Sequence, residues 1–459
     1  MKILLTGATG FLGQYVAREL LVRGHQLVIL SRDAERARAS FPYPAEFYTW
    51  DPRKGPAPRE AASGVQAVVN LAGESIAARR WTVEQKKKIV ESRTLGTRHL
   101  WDGLLQAGVA ERLKVFVSAS AVGIYGDRGD EILTEASAPG EGFLSEVCRA
   151  WEKEIFRADV PNTRQVALRI GVVLGTEGGA LQKLLPVFQS GLGGPVGGGK
   201  QWMSWIEVED LARLFADAVE KREFEGPINA VAADPVTNGE FSKVLAFVVG
   251  KPALLPAPAM ALKVALGEMS AVILSSQRVR PEKLLDLGFT YQFNTLEDAL
   301  RHLCAPGGDP RDSQFVAEQW VPRTPEEVFP YFSAARNLEE LTPPWLNFEI
   351  QKTSTDDVRE GTLIDYRLKI HGVPAKWRTR IEEWEPNKKF VDLQLSGPYT
   401  KWHHTHSFIP MNGGTLLRDR VLYRLPLGSL GRSVAQAFVK KDVAKIFAFR
   451  RKKITELFK

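Results

Sequence analysis

Short apolar runs alternate with amphipathic stretches along the first half of the chain. Lys2–Thr6, Gln26–Leu30, Glu46–Trp50, Ala67–Leu71, Lys114–Ser118 and Gln165–Ile170 are rich in Val, Ile, Leu and aromatic residues and read as strands. Their apolar residues run on rather than alternate, which is the pattern of strands buried on both faces. Between them, Tyr15–Arg23 sets Val16, Leu20 and Leu21 on one helical stripe. Strand, helix, strand in this order predicts an α/β fold with a doubly wound parallel sheet over residues 1–250.

The texture changes near Pro252. Pro252, Pro256 and Pro258 interrupt the backbone, and helical patterning then continues to Leu303. Residues 251–304 are expected to form a small helical cap on the first unit. Ala305-Pro306-Gly307-Gly308-Asp309-Pro310 opposes both helix and strand and marks a linker over 305–311. Residues 312–459 then form a different, α+β unit. A helix begins at Thr324-Pro325-Glu326-Glu327, with Thr324 as N-cap, Pro325 at the first helical position and Glu327 completing a capping box. Four or more strands follow, including Leu363–Ile370, Ala375–Glu383 and Phe390–Leu395, and a basic helix over Ser429–Phe458 closes the chain. That helix carries Lys440-Lys441 and Arg450-Arg451-Lys452-Lys453 beside Phe438, Ile446, Phe449 and Ile454. It is either packed on its own sheet with a solvated basic face or able to touch a membrane surface.

At 459 residues, the chain exceeds one ordinary core. With 44% hydrophobic and 25% charged residues it has the composition of a soluble globular protein. The two cysteines, Cys148 and Cys304, form neither a disulfide framework nor a metal spacing, which fits a reducing, cytoplasmic setting. Met1–Gly7 leads straight into a glycine loop, so no signal peptide is expected. Residues 1–309 hold 36 Lys+Arg against 36 Asp+Glu, and residues 310–459 hold 25 against 18, so the net charge of +7 sits in the last third. An acidic partner, an anionic membrane surface or plain solvation would each suit that basic unit; no nucleic acid is expected.

Thr6-Gly7-Ala8-Thr9-Gly10-Phe11-Leu12-Gly13 follows the first strand directly. In such a loop the first glycine (Gly7) allows a tight turn, the second (Gly10) lets the backbone approach a pyrophosphate, and the third (Gly13) lets the helix close on the sheet. The helix N-terminus then offers free N–H groups to phosphate. Strand two ends on Ser31-Arg32, where an acid would accept the ribose 2′-hydroxyl of NAD. Arg32 suits a 2′-phosphate, so NADP(H) is the expected cofactor. Asp33 is expected to cap the next helix rather than turn inward. Asp51, ending strand three, is placed to meet the adenine, and Leu71-Ala72-Gly73 to pass beneath the ribose and phosphates.

These motifs, with Asn70-Leu71-Ala72-Gly73, Ser118-Ala119-Ser120, Tyr125-Gly126 and Trp205–Asp210, resemble the extended short-chain dehydrogenases. Arg80-Trp81-Thr82, Ser92-Arg93, Ser120–Asp127, Trp151-Glu152, Arg169-Ile170-Gly171 and Gly193-Gly194-Pro195 are similar to an atypical group of epimerase-family proteins, some of which carry a cell-division label. The resemblance adds Arg93 and Ser118 to the cofactor-binding set and assigns Ser120 the catalytic serine position. It also implies a Tyr–Lys pair within Phe143–Glu152, where Phe143/Val147 and Leu144/Cys148 supply none. Tyr125 with Ser120 is the first choice of substitute proton donor, with Glu146 a second; against these stand a wall-packing Tyr125 and a surface Glu146. Gly191–Gly199 lacks the Gly-Lys-Ser/Thr ending of a P-loop and reads either as a loop over the substrate, walled by Trp202 and Trp205, or as a surface hairpin.

Val321–Phe329, Leu341–Trp345, Gly397–Trp402, Gly413-Gly414-Thr415 and the final helix resemble the START-like helix-grip superfamily, which includes polyketide cyclases and lipid-transfer domains. This implies a curved sheet gripping a helix around an apolar cavity for a hydrophobic ligand. His404 and His406 share one strand face and His403 takes the other; two histidines without a cysteine suggest no metal. Two functions follow: an NADP(H)-dependent oxidoreductase or epimerase acting on a small-molecule substrate, or a non-catalytic NADP(H) sensor or scaffold linked to cell division. The linker and charge break predict that residues 1–304 and 312–459 fold separately. Circular dichroism of the two fragments checks this; an unfolded fragment beside a folded whole chain would refute it.

Overall fold

Seven parallel strands carry the first unit in a computed structural model of the chain: β1 (Lys2–Thr6), β2 (Gln26–Ser31), β3 (Glu46–Thr49), β4 (Ala67–Asn70), β5 (Val115–Ala121), β6 (Arg164–Ile170) and β7 (Gly226–Ala230). Residues 356, 371, 427, 428 and 459 lie outside the description, and residues 429–438 and 440 are described by their backbone alone. The strand order is β3-β2-β1-β4-β5-β6-β7. Every pairing is parallel. Six strands stand where their apolar runs predict them. The seventh, Gly226-Pro227-Ile228-Asn229-Ala230, has too few apolar residues to show such a run.

The order reverses beside β1, where β2 lies on one side and β4 on the other. Crevices at such a reversal receive ligands at the carboxyl ends of the strands. Helices α1 (Phe11–Val22), α2 (Ala34–Ser40), α3 (Val83–Gln106), α4 (Phe143–Ile155) and α5 (Val208–Glu220) connect or cover the strands. Trp101 of α3 is fully buried and stacks on Phe116 of β5 with centroids 4.2 Å apart. Its Nε1 donates to the Ile155 carbonyl at 3.1 Å, which ties α3 to the end of α4. Three further helices, α6 (Asn238–Val248), α7 (Ala259–Leu266) and α8 (Leu296–Cys304), follow, the last two separated by the short helices Ala271–Leu274 and Glu282–Asp286. The contacts divide the chain into two units, Met1–Phe41 with Ala45–Cys304 and Pro42–Pro44 with Ala305–Lys459.

The second unit is a seven-stranded antiparallel sheet with a long helix, as the resemblance to helix-grip domains implies. Its strands are β8 (Ser313–Val321), β9 (Glu349–Thr353), β10 (Leu363–Ile370), β11 (Val373–Glu385), β12 (Lys389–Ser396), β13 (Lys401–Met411) and β14 (Gly414–Arg424), in the order β8-β14-β13-β12-β11-β10-β9. Helix α9 (Pro325–Phe332) starts as expected: the Glu327 carboxylate accepts the Thr324 N–H at 2.7 Å. Phe329 of α9 meets Trp384 and Phe408 edge-on at 5.2 and 5.1 Å and seeds the core. Asp312 has no exposed side-chain surface and receives Lys401 at 2.6 Å and Arg424 at 2.7 Å, fixing the start of the unit to β13 and β14. The closing helix α10 spans Ser429–Leu457. Of the residues that mark its basic face, the side chains of Phe438 and Lys440 lie outside the described residues. Among the described residues no helix is long and apolar enough to cross a membrane.

Helix α5 depends on a buried acid. Glu207 caps it by accepting the N–H groups of Glu209 and Asp210, and its second oxygen has no partner among the described residues. Burial and the neighbouring Glu209 charge push its carboxyl from 4.5 up to about 8, against the pull of those N–H groups. The folded chain therefore keeps a proton that the unfolded chain releases, and this contribution to stability is full below 4.5 and lost as the pH rises through about 8. Glu207→Gln should flatten that loss. Urea midpoints at pH 5, 7 and 9 check it: parent and variant should converge at pH 5 and separate at pH 9, with the variant the more stable.

Candidate functional site

A cavity of about 320 Å³ opens at the carboxyl ends of β1 to β4. Thr6, Gly7, Thr9 and Gly10 line one side, Ser31, Arg32 and Asp51 the second, and Leu71, Ala72 and Gly73 the third. The backbone shows why this loop carries glycines. Gly7 has φ +72°, and a Cβ there would lie 2.9 Å from the Leu71 carbonyl group. At Gly13 a Cβ would stand 2.1 Å from the Gly7 carbonyl oxygen, so only glycine lets α1 start this close to β1. Gly10 is the N-cap and offers no side chain, which leaves the first N–H groups of α1, from Phe11 onward, to an anion.

Register fixes the floor. Thr6 pairs with Asn70, and Asn70 with Ser118. The Thr6 hydroxyl donates to Asn70 Oδ1 at 2.7 Å and accepts the N–H groups of Leu71 and Ala72, both at 3.1 Å. Asn70 Nδ2 reaches Ser118 Oγ and Thr97 Oγ1, each at 3.1 Å. Ser118 is thus fully buried behind the cavity, coupling β4 to β5, and does not line it.

At the end of β2, Asp33 caps α2 by accepting the Arg36 N–H at 2.9 Å. Arg32 is exposed at the cavity rim, and among the described residues it has no ion-pair partner. Asp51 is held below its ordinary value because the Arg53 backbone N–H and guanidinium outweigh the effect of burial. Sequence reasoning missed Arg53, Lys88 and Ser92, which also line the cavity. The signal was present for the last two, since they stand four apart on α3 and share a helix face. Phe11 and Leu12, expected at the cofactor, do not line the cavity. The Phe11 ring packs where a Cβ on Gly175 or Gly178 would stand, 2.4 and 2.3 Å from its atoms. Arg93 is a correction too. Its guanidinium donates to the carbonyls of Glu74 (2.9 Å) and Ile89 (3.1 Å) and lies over Trp151, so it shapes the Gly73-Glu74 turn from behind.

The expected proton donors are not at the cavity. Ser120 is buried and donates to Glu152 Oε1 at 2.7 Å. Arg169 holds both oxygens of Glu152, at 2.9 and 2.8 Å, and donates to the Tyr125 hydroxyl at 2.9 Å. Tyr125 is fully buried, with Asn229 Oδ1 at 2.7 Å and the Thr134 carbonyl at 2.9 Å from its hydroxyl. Burial raises its phenol above the ordinary value, in spite of Arg169. Where a Tyr–Lys pair would stand, Leu144 and Cys148 pack on Gly123, and burial pushes the Cys148 thiol up to about 12. In the glycine loop Gly194 lies against Leu255, and Trp205 is buried with its Nε1 on the Asp234 carbonyl.

The sequence profile of the NAD dependent epimerase/dehydratase family matches residues 3–231. The "Epimerase family protein SDR39U1 homolog, chloroplastic" of Arabidopsis thaliana is 39% identical over 308 residues, 66% of this chain and 86% of that protein. The chain belongs to this epimerase family. "Epimerase family protein YfhF" of Bacillus subtilis is 40% identical over 306 residues, 66% of this chain and 98% of its own length. The crystal structure of human epimerase family protein SDR39U1, solved with NADPH, superimposes with a TM-score of 0.59 at 33% identity, over 66% of this chain and 99% of the human one. A domain of unknown function matches residues 257–303, and the polyketide cyclase/dehydrase and lipid transport family matches residues 313–455.

In the second unit of this epimerase-family chain, a cavity of about 760 Å³ lies between the sheet and α10. Its walls include Phe332, Trp345, Tyr366, Trp377, Tyr399 and Trp402. Trp377 Nε1 is a buried donor without a partner among the described residues.

The Glu152–Arg169 pair generates a stability prediction. Glu152→Gln leaves the Arg169 guanidinium uncompensated in the interior and should cost about 3–5 kcal/mol. Tyr125→Phe removes one hydroxyl from the same network and should cost about 1–3 kcal/mol. Urea unfolding checks both; a Glu152→Gln variant as stable as the parent would refute the ion pair's role.

Proposed function

We propose that the first unit binds NADP(H) and that the chain is an oxidoreductase or epimerase of the short-chain dehydrogenase type. The observation that carries this is the end of β2. Asp33 is committed to its helix cap, and Arg32, without an ion-pair partner among the described residues, stands at the rim of the cavity below the glycine loop. The bound pyrophosphate would meet the first N–H groups of α1, with Arg32 and Arg53 beside the adenosine 2′-phosphate. The human relative's NADPH supports the same choice. The cofactor would supply hydride transfer; the chain contributes binding, orientation and exclusion of water. The aromatic cavity of the second unit supports a hydrophobic small molecule there, since drug-sized ligands occupy ~300–1,000 Å³.

A non-catalytic NADP(H) sensor is favoured by a separate observation. Ser120 and Tyr125 are both committed to Glu152, Arg169, Asn229 and Thr134. NADPH oxidation with a panel of carbonyl compounds separates the two readings: turnover supports the enzyme, and binding without turnover the sensor.

Calorimetry tests the cofactor. NADPH should bind more tightly than NADH. Arg32→Ala should lose roughly tenfold or more for NADPH, corresponding to about 1.4 kcal/mol or more, with NADH little changed. Equal affinities in the parent would overturn the reading.

A further inference from the structure

Three neighbouring strands of the second unit bring a polar group to the floor of its aromatic cavity. Asp392 of β12 pairs with His404 of β13, and His406 pairs with Asp419 of β14. His404 and His406, two residues apart, project to the same face. Both are buried, and together with Asp392 and Arg450 they line the cavity.

The two imidazoles are oriented alike with respect to the carboxylates. Their outer nitrogens face Asp419 Oδ1: His404 Nε2 at 3.1 Å and His406 Nδ1 at 2.7 Å. Their inner nitrogens face Asp392 Oδ2: His404 Nδ1 at 3.4 Å and His406 Nε2 at 3.1 Å. One atom from each of Asp392, His404 and His406 lies within 4.8 Å of the others. Arg450 Nη2 also lies 3.4 Å from His406 Nδ1. In the tautomer that turns both outer N–H groups to Asp419, the two inner nitrogens keep their lone pairs on the Asp392 side, the usual supporting arrangement of metal-bound imidazoles. Ligands bound at about 2.0–2.2 Å to a tetrahedral or octahedral ion stand about 3.0–3.5 Å apart. The 3.1 and 3.4 Å separations around Asp392 match that spacing.

The charges agree. Arg450 Nη1 lies 3.6 Å from Asp419 and offsets it, so neutral imidazoles leave one uncompensated negative charge, that of Asp392. A divalent cation would reverse that charge and attract an anion. We infer that Asp392, His404 and His406 form a 2-His-1-carboxylate site for a divalent metal ion of the Zn²⁺ or Fe²⁺ type, with Asp419 as its positioning residue. The open coordination positions face the aromatic cavity and take an anionic oxygen (carboxylate, phenolate or enolate) carried on an apolar body. Counting histidines and cysteines hid this site, because Asp392 enters only through the strand register. Metal binding stands on this cluster alone; only the ligand class rests on reading the cavity as a ligand site.

The test uses the full chain, free of any affinity tag and stripped with a chelator. Titration with Zn²⁺, Co²⁺ and, without oxygen, Fe²⁺ should show one saturable equivalent, and Co²⁺ should develop visible absorption bands. Asp392→Asn and His404→Ala should lose at least about 100-fold in affinity, and Asp419→Asn about 10–100-fold. His403→Ala, on the opposite strand face, should bind as the parent does. Failure of the parent to bind any of these ions below millimolar concentration would overturn the site and leave a protonated histidine as the neutralising charge. So would parent-like binding by His404→Ala. Adding 1-hydroxy-2-naphthoate should shift the Co²⁺ bands. Unchanged bands on a bound Co²⁺ would refute the ligand class and leave the metal site standing.

Discussion

A missing side-chain carbon at Gly13 sets the distance between the first strand and the first helix. The Gly7 carbonyl oxygen lies 2.1 Å from where that carbon would be, so α1 can begin only a few residues after β1 ends. The close start aims free N–H groups of the helix over the strand ends. It also puts Thr6 where one hydroxyl holds Asn70 and the N–H groups of Leu71 and Ala72. Loop, floor and rim are thus one construction. A larger residue at position 13 would lift the helix and loosen all three.

Much of this was legible in the chain. Strands buried on both faces are written as continuous apolar runs, and six of the seven could be placed from that signal. The helix starts at Thr324 and Asp33 were equally readable, because capping is decided within four residues. Failures began where partners are remote. Ser120 and Tyr125 looked available because nothing near them in sequence opposed it; their partners Glu152, Arg169 and Asn229 come from α4, β6 and β7. Arg93 misled for the same reason, since backbone carbonyls leave no trace in a sequence. His404 and His406 were read correctly as sharing a face, while Asp392 and Asp419 required the pairing of three strands.

The interior beneath the nucleotide cavity has an electrostatic character of its own. Arg169 and Glu152 are both buried, so each depends on the other for its charge. Ser120 and Tyr125 complete the shell around them. A tyrosine held this way is poor at exchanging protons with a substrate, but it ties β6 to β7 through Arg169 and Asn229, while Ser120 and Arg169 tie β5 and β6 to Glu152 of α4. The same residue types that do acid–base work elsewhere serve here as a rigid floor.

The edge strand of the second unit has a consequence for how the protein is made. β8 is the first strand of that unit to be synthesised, yet its partner is β14, the last. The hairpins from β9 to β14 can close as they emerge, because each strand pairs with the next in sequence. β8 cannot pair until residue 424 has left the ribosome. For about a hundred residues of synthesis, taking ~5–20 s at ordinary elongation rates, its open edge is a liability for mispairing with another nascent chain. A chain cut short before β14 would keep that edge open permanently, so the integrity of the C-terminus governs the solubility of the whole unit.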